Sequence, residues 1–200
     1  MQALRLTLPV ALTSLTLGAF ALPALPALPA LPAPRAAPTD AQRAFERLKA
    51  LAGKWRASIT GEPRRADMGN GTYSQVTIRV TSRGHALVLE TQEIGKPDDP
   101  TRYDHPLTML YLSGDSLMLT HYCDAGNRPR MAGKVSPDGK TVEFDFLDIA
   151  GTTELGYMRH VVFTFIDANH HTEDWTYMLP DDKPFRAHFD LWRITDGSGS

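Results

Sequence analysis

From Trp55 onward the chain is written in short segments of alternating or continuously apolar character, each closed off by a turn signal. This rhythm constrains the fold most, because a period of two sends successive side chains to opposite faces of a sheet. Ten strands are predicted: Trp55–Thr60, Thr72–Ser82, Ala86–Ile94, Leu107–Leu112, Leu117–Cys123, Arg130–Val135, Thr141–Leu147, His160–Ile166, Thr172–Met178 and Ala187–Ile194. Arg83-Gly84-His85, Gly114-Asp115, Ser136–Lys140 and Asp167–His171 are short links of the kind that join antiparallel neighbours. An open sheet of ten strands would leave long unprotected edges, so closure into an up-and-down barrel is expected, with a sandwich as the other all-β solution. A single amphipathic helix precedes the strands, from Asp40 to Leu51. Thr39 or Asp40 caps it, Phe45, Leu48 and Leu51 share one face, and Gly53 stops it.

The ends lie outside this domain. Residues 1–38 read as a basic start, an apolar run from Leu6 to Leu22 and a Leu-Pro-Ala repeat. The pattern is that of an export signal followed by an extended proline-rich spacer, the competing reading being a membrane anchor. The domain is then 39–195, with 196–200 a flexible Gly/Ser tail. Removing residues 1–38 leaves 19 basic and 23 acidic residues, a net charge of −4. That balance excludes nucleic acid as a partner. Cys123 has no second cysteine to pair with, so the thiol is either buried or used.

The helix followed by Leu51-Ala-Gly-Lys-Trp55 and an antiparallel meander resembles the lipocalin and fatty-acid-binding superfamily. More narrowly, YDHPLTMLYLSGDSLMLTHYCDAGNRPRM, Tyr103 to Met131, is similar to uncharacterised exported bacterial proteins of lipocalin-like fold related to the DUF1579 type. The resemblance covers most of Phe45 to Ile194 and implies a calycin-type barrel without an established activity. Nitrobindins, a related class, hold haem through a histidine near the last strand, and His188 stands at a comparable place. However, Lys54-Trp55-Arg56-Ala57-Ser58 lacks the glycine pattern that follows the tryptophan in nitrobindins. Haem is therefore a secondary expectation, and no other cofactor is expected.

The Tyr103–Met131 stretch holds the candidate site. Leu117, Leu119, His121 and Cys123 fall on one face, which puts His121 and Cys123 inside the barrel. Asp104, His105, Tyr122, Asn127 and Arg130 form a polar cluster at the mouth, where an arginine suits a carboxylate head group. Alternatively, these side chains satisfy the backbone of the Asp124–Pro129 loop. Phe144 and Phe146, alternating with Glu143 and Asp145, supply apolar wall. No paired HxxxH or CxxC spacing exists, His170-His171 falls in a predicted turn, and no metal site is expected. Trp55, Trp175 and Trp192 read as core or end plugs, and Glu154, Glu173 and Asp174 as surface acids.

The expected function is that of an exported barrel holding a small apolar or amphipathic molecule at His105, His121, Tyr122, Cys123, Asn127, Arg130, Phe144 and Phe146. The rival is an enzyme in which His121 activates Cys123. A barrel filled by its own side chains is a third reading.

Overall fold

The computed structural model describes residues 37–64 and 72–195. The predicted signal, spacer and tail lie outside the described residues. Among the described residues, no helix is long and apolar enough to cross a membrane.

Ten antiparallel strands close into one barrel: β1 (Gly53–Glu62), β2 (Thr72–Thr81), β3 (Ala86–Glu93), β4 (Leu107–Ser113), β5 (Ser116–Tyr122), β6 (Arg128–Val135), β7 (Thr141–Ala150), β8 (Tyr157–Asp167), β9 (His170–Met178) and β10 (Pro184–Arg193). Each strand pairs with its sequence neighbours, and β10 returns to β1 with Trp55 opposite Arg193 and Ile59 opposite Phe189. The all-β closed barrel read from alternation is the observed fold. The strands run longer than predicted at the β7, β8 and β10 ends, because cross-strand bonding continues into polar residues that alternation alone leaves as loop.

The inward positions of successive strands interlock into a single core. Trp55, Ala57, Val76, Ile78, Leu87, Leu110, Leu117, Leu119, Met131, Phe144, Phe163 and Leu191 are all buried. Val80, at the same alternate spacing as buried Val76 and Ile78, is 44% exposed, since it lies near the end of β2. A register shift between Arg130 and Met131 breaks the β6–β7 ladder. Arg130 pairs with Asp148 and Met131 with Phe146, so Leu147 is the extra residue and is thrown outward.

Helix α1 (Asp40–Lys49) closes one end of the barrel. The Thr39 side chain accepts from the Gln42 backbone N–H, and the Gln42 side chain accepts in turn from that of Thr39. Ala44, Phe45 and Leu48 face the core, and the helix packs over β4, β5 and β6. Arg47 donates to the Gly139 carbonyl in the β6–β7 turn, and Lys49 reaches the Gly84 carbonyl at 3.5 Å. The opposite end is formed by the loops 94–106, 123–127, 151–156 and 179–183, and among the described residues no helix covers it.

Candidate functional site

At the uncapped end a cavity of about 480 Å³ opens into the barrel. Its walls are Leu89, Met158, Trp175, Phe185 and Phe189, and Pro106, Ala125, Leu155 and Pro180 form the rim. Volume and apolar lining fall in the usual range for a small-molecule site, roughly 300–1,000 Å³.

Polar groups converge at its floor. His121, 4% exposed, shares a 2.9 Å hydrogen bond between Nδ1 and Thr108 Oγ1, and its ring lies 5.4 Å from that of Trp175. Burial pushes the imidazole down to about 4, so it is neutral at physiological pH. Its Nε2 makes no hydrogen bond to a described residue, and the side chain lines the cavity. Glu173, 2% exposed, also lines it. Its Oε2 accepts from Trp175 Nε1 at 2.9 Å, and its Oε1 lies 3.3 Å from His171 Nε2. His171 is fully buried edge-on to Trp55, with ring centroids 4.3 Å apart and Nδ1 unpartnered among the described residues. His171, Glu173 and Trp175 therefore form a connected polar seam from the barrel centre to the cavity floor.

The rim is acidic. The Asp104 carboxyl is pushed up to about 6, first by burial and then by neighbouring Asp124, although the Asp124 backbone N–H donates to Asp104 Oδ1 at 3.1 Å. Burial pushes the Cys123 thiol up to about 11. The Tyr177 hydroxyl, pushed up to about 12 mainly by burial, donates to the Leu155 carbonyl at 2.6 Å. A nucleophilic cysteine needs an electropositive setting that favours thiolate. Cys123 has Asp104 and Asp124 instead, and its neighbouring imidazole is the one that burial keeps neutral.

Of the nine residues singled out in the sequence for the site, Asp104, His121 and Cys123 line the cavity and six do not. Tyr122 faces outward, 42% exposed, as the strand period requires of a residue between two inward ones. Arg130 also points out, in a two-pronged ion pair with Asp148 whose Nε–Oδ1 arm is 2.7 Å. No guanidinium from it awaits a carboxylate inside. Asn127 is buried, and its Nδ2 donates to the Thr152 and Gly156 carbonyls at 2.8 and 2.7 Å, tying loop 123–127 to loop 151–156. His105 sits beside the rim with Nδ1 3.8 Å from Asp98 Oδ1 and Nε2 buried without a partner among the described residues. Phe144 lies in the core, edge-on to Phe163, and Phe146 packs half-buried against Tyr157 next to the register shift.

Sequence reasoning missed Glu173, Trp175 and Thr108. Glu173 was expected on the surface and is inside. In β9, His170, Thr172 and Asp174 alternate with His171, Glu173 and Trp175, and both sets are polar. Trp175 was the signal for which set turns inward. The two histidines expected in a turn belong to β9, with His171 in the core and His170 outside, stacked on Trp192 at 3.8 Å.

On the outer wall, His188 shares a 2.6 Å hydrogen bond with Asp174 and is 46% exposed. It does not reach the interior, so the residue that the nitrobindin resemblance offers for haem does not fit that role. One trio among the described residues has ligating atoms within 4.8 Å of one another: Glu143, Asp145 and His160, also outside. Asp145 there already bonds Lys134 at 2.8 Å and His160 at 3.1 Å.

The fold is a closed up-and-down antiparallel barrel of lipocalin-like form. No family model matches the chain, and no curated protein matches it. Among solved structures it is similar to Rv2717c from M. tuberculosis, at TM-score 0.55 and 12% identity, over 76% of this chain and 98% of that one. This likeness shows the fold alone. A protein of unknown function from the DUF3598 family of Nostoc punctiforme aligns at TM-score 0.47 and 9% identity, over 74% of this chain and 49% of that one.

Proposed function

We propose that this protein binds a small, partly apolar molecule inside its barrel, at the uncapped end. The observation that supports this reading is the 480 Å³ cavity itself, whose apolar walls end in Thr108, His121 and Glu173. A barrel filled by its own side chains has no such space, and a purely structural core has no reason to aim an imidazole and a carboxyl group at it. The test is titration of the purified barrel with the neutral fluorophore N-phenyl-1-naphthylamine, followed by native mass spectrometry. Saturable emission at one site per chain is expected, and Trp175→Ala should weaken it at least about tenfold by removing an aromatic wall. A probe that never enters, in wild-type protein that is folded by circular dichroism, would sink the proposal.

Two further readings belong with it. The basic start, apolar run and proline repeat of residues 1–38 support export of the barrel, so that the ligand is met outside the cytoplasm. The Tyr103–Met131 motif supports kinship with the DUF1579-type barrels.

A further inference from the structure

The charge of the cavity narrows the class of ligand. Three carboxyl groups line it, Asp104 and Asp124 at the rim and Glu173 at the floor, and among the described residues no lysine or arginine does. The arginine expected to receive an acid head group, Arg130, is on the outer wall and held by Asp148. His121, the cavity's imidazole, is buried with Nε2 unpartnered by any described residue. Above Glu173 stand the rings of Trp175, Tyr177, Phe185 and Phe189.

An anion placed here would meet like charge in a site of low dielectric, with no cation to offset the loss of its hydration. A cation would find carboxyl groups for its N–H donors and aromatic faces for its charge. We infer that the cavity takes hydrophobic organic amines in preference to carboxylic acids, with the ammonium directed at the Glu173 carboxyl group and the apolar body against the aromatic wall. This rests on the proposed binding role and sets that role's ligand class. It also distinguishes the barrel from one built to carry fatty acids.

The experiment compares matched skeletons on the full chain at pH 7.5: tryptamine against indole-3-propionate, and octylamine against octanoate. Each competes with N-phenyl-1-naphthylamine. Each amine is expected to displace the probe at least about tenfold more effectively than its acid, the scale of one unpaired charge interaction at the intermediate dielectric of such a site. Glu173→Gln should reduce that preference severalfold, read as the ratio of the amine's to the acid's competition constant on the same variant, in which any change in probe affinity cancels. Should Glu173→Gln not fold, the double variant Asp104→Asn, Asp124→Asn at the rim serves the same purpose. Acids that compete as well as amines, or a preference that survives neutralisation at both floor and rim, would overturn the inference while the probe still binds. If the probe itself does not bind, the broader proposal has failed.

Discussion

At His121 the fold buries a titratable ring against Thr108 and Trp175, and the cost appears on acidification. The unfolded chain takes up a proton near pH 6.5, whereas the folded protein resists until about 4. The depressed value means that stability is complete above 6.5 and lost as pH falls towards 4, by on the order of 3 kcal/mol. Urea unfolding at pH 7 and pH 4.5 should show that loss, and His121→Leu should flatten it. Equal slopes in the two proteins would rule out His121 as the source. Asp104 has the opposite sign. Its carboxyl is raised to about 6 by burial and Asp124, with Cys123 and Tyr177 nearby and His105 opposing, so its ionisation disfavours the folded state above that pH. Asp104→Asn should therefore raise the melting temperature at pH 7.5 and leave it nearly unchanged at pH 4, below which both states bind the proton. Cys123, raised to about 11 against 9.0, carries about a hundredfold less thiolate near neutrality than an unperturbed thiol. Iodoacetamide at pH 7.5 should label it correspondingly more slowly than glutathione. Labelling faster than glutathione would revive the enzyme reading.

Among the elements, the strands positioned by alternation were legible because Leu117, Leu119, Phe144 and Phe163 leave no doubt about their face. The tight turns at Gly114 and Gly139, with φ of 59° and 67°, were legible because glycine tolerates that geometry. What could not be read was the orientation of strands polar on both faces. In β9 an inward Glu173 looks like any surface acid until its neighbours are known, and in β7 the extra residue Leu147 interrupts the alternation that Phe144 and Phe146 begin. Registers set by a bulge or by long-range pairing are not written in the local pattern. The mouth loops show the same dependence. Asn127 stands in a stretch that invites a ligand-binding reading, yet its amide serves two carbonyls of the neighbouring loop. Asn127→Ala should leave both carbonyls without their donor and cost about 2 kcal/mol in urea unfolding. Gly156 holds the other side of that joint at φ 87°, where an added Cβ would come within 2.2 Å of the Met178 carbonyl oxygen and 2.7 Å of the Tyr177 ring. The two loops are thus fixed to each other and to the cavity wall, which favours a preformed mouth over one that closes on its ligand.

For the molecule as a whole, the decisive event is closure, in which β10 meets a β1 that lies at the far end of the domain's sequence. Arg193 secures that seam at the helix-capped end. Its Nε donates to the Ala168 carbonyl at 2.9 Å, and its two terminal nitrogens donate to Ala52 and Ala50 at 2.8 and 3.1 Å. The guanidinium lies over the Trp55 ring, 4.2 Å from its centroid, while Trp55 Nε1 donates to the Leu51 carbonyl at 2.8 Å. One side chain therefore joins the last strand, the helix–strand linker and the β8–β9 turn. Gly53 leaves room for it, since a Cβ there would come within 2.5 Å of Arg193 Nη1. Replacement by methionine keeps the aliphatic stem and removes the donors, so the loss should be on the order of 2 kcal/mol, partly exposed hydrogen bonds and the ring contact together. The cavity lies at the opposite end, walled by residues that Arg193 does not touch. Arg193→Met should thus lower the urea midpoint yet bind N-phenyl-1-naphthylamine within about twofold of wild type wherever the variant is folded. If probe affinity fell with stability, the two ends would be mechanically coupled and the mouth would not be the self-supporting site that its loop-to-loop bonds imply.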